Sequence, residues 1–136
     1  MEETTREARL REGERMRRTV LGDAHVDRSQ ANATPFTQDL QELVTEYCWG
    51  TIWTREGIEP RERSLVNLGM LAALGKMAEF ELHVRGAIRN GLTPDEVKEV
   101  ILQIGVYCGV PAAIEASRHA GKVLDEMRAN GELAAE

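Results

Sequence analysis

The sequence predicts an all-α protein, a compact bundle of about six helices, and three observations carry that expectation. Apolar residues recur at helical spacing along most of the chain, helix start and stop signals bracket those stretches, and no segment shows the alternation that a half-buried strand needs. With 136 residues, 42% of them hydrophobic and 29% charged, the chain has the size and mix of one soluble domain with a core of its own. Residues 1–136 therefore read as a single domain with an N-terminal helix and arm over about 1–34.

From Thr4 to Val20, glutamates and arginines alternate around Leu10, Met16 and Val20, the pattern of a solvated or partner-packed helix. Gly22 and Asp23 end it, and the polar stretch to Thr34 reads as a loop or arm. Thr34-Pro35 offers an N-cap and a first-turn proline for a second helix. Its apolar points are Phe36, Leu40, Leu43, Val44 and Tyr47, and it runs into Trp49 and Trp53. After punctuation at Gly57 and Pro60, the run from Arg63 to Leu74 is apolar around much of its circumference. A helix of that kind is buried on several sides, which in so small a domain predicts an oligomer whose interface uses it. Gly75 separates it from a helix that carries Glu79 and His83 and stops at Asn90-Gly91. Thr93-Pro94-Asp95-Glu96 is a capping-box start, followed by a stripe of Val97, Val100, Ile101 and Ile104. Val110-Pro111 opens the last helix, which passes Val123 and Leu124 toward an alanine-rich tail.

A net charge of −6 and a pI near 5.2 give no general attraction to nucleic acid or to anionic lipid. An anionic substrate would need local arginines. Arg11, Arg15, Arg17 and Arg18 are interleaved with Glu7, Glu12 and Glu14 and read as a solvated face. There is no apolar run of the roughly 18 residues a spanning helix needs, and the first twenty residues are charged throughout. The expectation is a cytoplasmic protein with neither membrane span nor secretory signal. Cys48 and Cys108 are too far apart in sequence for a metal knuckle or redox pair and are expected as reduced thiols, with Cys108 in the core.

The stretch EFELH, residues 79–83, holds the candidate chemistry. Positions i and i+4 share a helix face, so Glu79 can orient His83 and leave its other ring nitrogen to handle a proton. The competing reading is an exposed structural pair. Glu81 points elsewhere and is expected in solvent. His25 and His119 lack a spaced partner, so no closed metal site is expected. Arg55, Arg61 and Arg63 cluster where a guanidinium fork could clamp a carboxylate, or could simply be solvated. Trp49 and Trp53, also four apart, either wall a pocket or pack in a core.

An ordered series of segments adds a resemblance. Arg17-Arg18 with VLGDAHVDRSQANAT (20–34), WGTIWTREGI (49–58), RSLVNLGMLAALG (63–75), ELHVRGAIRNGLTPDEVKEV (81–100) and QIGVYCGVPAA (103–113) together resemble the carboxymuconolactone decarboxylases. The resemblance implies an alkylhydroperoxidase-like all-α subunit, homo-oligomers that are typically hexameric, no cofactor, and a place in the protocatechuate branch of aromatic breakdown. It implies loss of carbon dioxide from 4-carboxymuconolactone, a small lactone dicarboxylate, to leave 3-oxoadipate enol-lactone. On that reading His83 donates the proton, Glu79 orients it, Arg55 or Arg63 anchors the carboxylate that stays, and Trp49, Trp53 and Tyr107 are walls. Alkylhydroperoxidases of the wider superfamily place a CxxC pair shortly before the histidine, where this chain has Lys76 and Glu79. A redox relative and a non-catalytic binder of small organic acids are the alternatives. Glu56 replaces a proline common in the family, and Met77-Ala78 replace a more acidic stretch.

Overall fold

The structure, a computed structural model, describes residues 3–136. Among them are seven α-helices and one π-helical stretch, and none of the helices is long and apolar enough to cross a membrane. The chain gathers into two compact units, Met1–Glu59 and Pro60–Glu136.

The first unit holds α1 (Thr5–Leu21), α2 (Asp23–Ala31) and α3 (Gln38–Leu43), which continues as the π-helical stretch Val44–Trp53. Thr4 and Glu7 close a capping box on α1: the Thr4 hydroxyl accepts from the Glu7 amide at 3.0 Å, and the Glu7 carboxylate accepts from the Thr4 amide at 2.9 Å. Gly22, at φ 89°, ends it in a conformation that L side chains rarely adopt. The wider winding of the π-helical stretch shows in Thr51, whose hydroxyl donates at 3.0 Å to the Glu46 carbonyl five residues back. This stretch lies directly on α1. A Cβ on Gly13 would collide with the Thr45 carbonyl oxygen, and one on Gly50 with that of Arg9. Arg9 and Arg6 then grip Glu46 at 2.8 and 3.1 Å and hold its carboxyl below the usual range, chiefly through the Arg9 hydrogen bond. Trp49 and Trp53 are buried and stacked, with ring centroids 4.8 Å apart.

Two expectations for this unit are corrected. Residues 23–31 are helical where the polar sequence suggested a loop. The helix has one apolar anchor, Val26, fully buried, and is otherwise held by charge: Arg18 pairs with Asp23 at 3.2 Å and Asp27 at 2.9 Å. The next helix starts at Gln38, not at Thr34-Pro35. The residue before a proline resists the helical conformation, and Thr34 instead closes a turn in which the Thr37 hydroxyl accepts from its amide at 2.9 Å. Phe36, Leu40, Leu43 and Tyr47, the apolar points of that stretch, are exposed.

The second unit packs α4 (Pro60–Ala73), α5 (Met77–Arg89), α6 (Pro94–Cys108) and α7 (Val110–Ala129) around one core that includes Leu68, Phe80, Val84, Val97, Ile104, Val123 and Met127. The Thr93 capping box forms as its sequence requires, with both reciprocal hydrogen bonds and Pro94 in the first turn. Asn90 ends α5, and its side-chain amide donates to the Ser64 hydroxyl at 2.9 Å, tying α5 to α4. On α4 the buried stripe is Ser64, Leu68 and Ala72, while Val66 and Met70, and Leu74 just past its end, are exposed, so within one chain this helix is covered on one side only. Cys108 is exposed rather than in the core: Ile104 is the last buried position of α6, and Gly109 ends the helix one residue after the cysteine.

Because backbone, not a flexible side chain, faces the missing Cβ, Gly13→Ala is expected to cost about 3 kcal/mol, at the upper end of overpacking penalties. A thermal melt followed by circular dichroism will show the drop. An unchanged midpoint would mean that α1 and the π-helical stretch are not held this close.

Candidate active site

His83 lies on α5 one turn after Phe80 and one turn before Ala87, on the face that enters the core. That face is apolar because Phe80, Val84 and Ala87 are fully buried, and His83 shares it with only 7% of its surface exposed. A buried histidine rules out the reading of an exposed structural pair for this residue. An imidazole withdrawn from water into an apolar face interacts with what the protein or a ligand presents to it. Glu79, one turn earlier, is exposed in the first turn of α5, where a carboxylate also suits the helix dipole.

The expected arginines have separate fates. Arg61 is engaged in an ion pair with Glu96 that links α4 to α6. Arg63 is half-buried on α4, in the same unit as His83, and Arg55 is exposed in the first unit. Trp49 and Trp53 lie together in the first unit. Tyr107 is 80% exposed and lines an apolar groove of about 380 Å³ between α4 and α6, with Leu65, Val66, Met70 and Ile104 beside it.

Glu81 was expected in solvent, and the structure corrects this. Its carboxylate meets His119 Nδ1 at 2.5 Å and accepts from Lys122 Nζ at 3.2 Å, so α5 is clasped to α7. The hydrogen bond with His119, then the Lys122 ammonium, holds the Glu81 carboxyl below its ordinary value. Residues 38 and 41 positions apart make this cluster, and no local spacing rule could have found it. Among the described residues, no three histidines, cysteines or acids converge as a metal site.

The second unit is a small all-α unit of four helices with a buried histidine, His83, on its second helix and a half-buried arginine, Arg63, on its first. Comparison with known proteins adds the family. Residues 38–122 match the model of the carboxymuconolactone decarboxylase family, and the chain belongs to that family. It is 45% identical over 121 residues, 89% of this chain and 85% of the relative, to a nitrosuccinic acid decarboxylase of Metarhizium robertsii. It is 40% identical over 121 residues, 89% of this chain and 90% of the relative, to a 4-carboxymuconolactone decarboxylase of Acinetobacter baylyi. A 4-carboxymuconolactone decarboxylase of Pseudomonas putida matches at 45% over 38 residues, 28% of this chain and 79% of that sequence.

The Glu81 clasp makes a prediction with a definite sign. A carboxyl whose folded value is depressed contributes stability above its ordinary value of 4.5, and loses that contribution as pH falls through the lower folded value. Glu81→Gln is therefore expected to lower stability near neutral pH by about 1 kcal/mol and to lose less than the wild type on acidification. Denaturant melts at several pH values will show two curves that converge in acid. Parallel curves would refute the clasp.

Proposed function

We propose that the protein is a carboxy-lyase that removes carbon dioxide from 4-carboxymuconolactone and leaves 3-oxoadipate enol-lactone, without a cofactor. The observation that carries this is the burial of His83 within the segment matched to the family, in a chain alike over most of its length to named decarboxylases. When the carbon–carbon bond to the departing carboxylate breaks, its electron pair flows through the ring double bond into the lactone carbonyl. The resulting dienolate takes a proton at the ring carbon beside the carbonyl, and the substrate is its own electron sink.

His83 supplies that proton, and Glu79, one helical turn away, orients the ring. Arg63 or Arg55 holds the acetate arm, the carboxylate that stays. Trp49, Trp53 and Tyr107 are proposed as apolar walls, disfavouring the localised charge of the leaving carboxylate more than the spread charge of the dienolate. The exposed apolar side chains Val66, Met70, Leu74, Val106 and Val110 support a homo-oligomer, with a hexamer implied by the resemblance and a cytoplasmic place in aromatic breakdown.

The 45% identity to a nitrosuccinic acid decarboxylase favours a second substrate reading. Nitrosuccinic acid also carries two carboxylates, and loss of the one beside the nitro group leaves a nitronate, so the same acid and the same anchor serve.

Proton NMR of the purified protein with each acid decides between them, with 4-carboxymuconolactone generated in place from carboxymuconate. The expected result is enol-lactone formed well above the protein-free rate, and loss of about a hundredfold to ten-thousandfold in kcat for His83→Asn with substrate affinity kept. Turnover of nitrosuccinic acid alone would move the assignment to the second substrate. Decay of both at the control rate would end the decarboxylase reading.

A further inference from the structure

Helix α2 sorts its polar residues by sign. Asp23 and Asp27, four apart, face α1, where Arg18 takes Asp23 at 3.2 Å and Asp27 at 2.9 Å and also donates to Gln30 at 3.3 Å. Val26 is fully buried. The remaining stripe, His25, Arg28, Ser29 and Asn32, follows the i, i+3, i+4, i+7 spacing of one helix face. It lines a cavity of about 350 Å³ completed by Thr37 and Gln41. That volume lies within the range of small-ligand sites.

The composition of this wall is what points to a ligand. Among the described residues, none that lines the cavity is acidic, although the chain carries 23 acidic residues against 17 basic ones. Arg28, exposed, pairs with no carboxylate among the described residues. Gln41 is oriented from behind: its Oε1 accepts from the Nη1 of buried Arg17 at 3.2 Å, so its NH2 group is the end left to donate. Beside the Arg28 guanidinium the lining brings the His25 imidazole, the Asn32 and Gln41 amides and the Ser29 and Thr37 hydroxyls, while Asp23 and Asp27 are held on the opposite face of α2 by Arg18.

We propose that this cavity binds a small carboxylate anion. The planar fork of Arg28 suits two carboxylate oxygens, and the amides and hydroxyls serve a second polar group on the same molecule. The site uses only residues 25–41 and owes nothing to His83, so it stands or falls apart from the decarboxylase reading.

The test is a titration of the full-length protein with succinate, followed by calorimetry and by amide NMR, with acetate and inorganic phosphate as comparison anions. Saturable succinate binding is expected, shifting the amides of residues 25–41 and weakened about tenfold or more by Arg28→Ala. Thr37→Val should weaken it less. His83→Asn should leave it unchanged, and circular dichroism should show every variant folded. Absence of saturable succinate binding, binding indifferent to Arg28→Ala and Thr37→Val together, or tighter binding of phosphate than of succinate would each overturn the proposal.

Discussion

The second unit depends on one compromise: the face of α5 that builds the core must also carry an imidazole. Phe80, Val84 and Ala87 are fully buried on that face and His83 sits among them at 7% exposure. The helices around it are fastened by polar contacts. Asn90 ties α5 to Ser64 on α4, Arg61 ties α4 to Glu96 on α6, and Glu81 ties α5 to His119 and Lys122 on α7. Two of these fasteners are half-exposed ion-pair contacts and the third ends on the fully buried Ser64 hydroxyl, and together they hold the geometry around an otherwise apolar core.

On the proposed reading, burial is what suits His83 to its task. A solvated imidazole would exchange its proton with water as readily as with a ligand, and proton delivery to one carbon needs a fixed ring and excluded water. Two different acids appear in the names of the relatives, nitrosuccinic acid and 4-carboxymuconolactone, and in each molecule a carboxylate sits on a carbon whose electrons can reach an oxygen-bearing sink. On the proposed reading, the protein must hold the remaining carboxylate and return a proton, tasks proposed for Arg63 or Arg55 and for His83.

How much of this is legible in the sequence depends on the range of the interaction. The capping boxes at Thr4 and Thr93 obey local rules, and α1 and α6 form as read. The burial of His83 agrees with the apolar periodicity of Phe80, Val84 and Ala87 around it. Helix α2 escaped notice because ion pairs to Arg18, rather than an apolar stripe, hold it to α1. Glu81 looked solvated because its partners lie on another helix. Cys108 follows an apolar stripe that has already turned outward by the last turn of α6. Nothing in Val44–Trp53 marks a π-helical winding, although Gly13 and Gly50 together signal a close approach once the fold is known.

Whether His83 delivers the proton is tested most directly by the stereochemistry of the product. Turnover of 4-carboxymuconolactone in deuterated water, sampled before the enol-lactone exchanges with solvent, leaves one deuterium at the ring carbon beside the carbonyl. A donor fixed on α5 places it on one face, and because the two faces give mirror-image products, deuterium NMR of the ring methylene in a chiral aligning medium resolves them. Deuterium on one face from the wild type and on both from His83→Asn is the expected result. An equal mixture of faces from the wild type would show that water, not His83, protonates the dienolate.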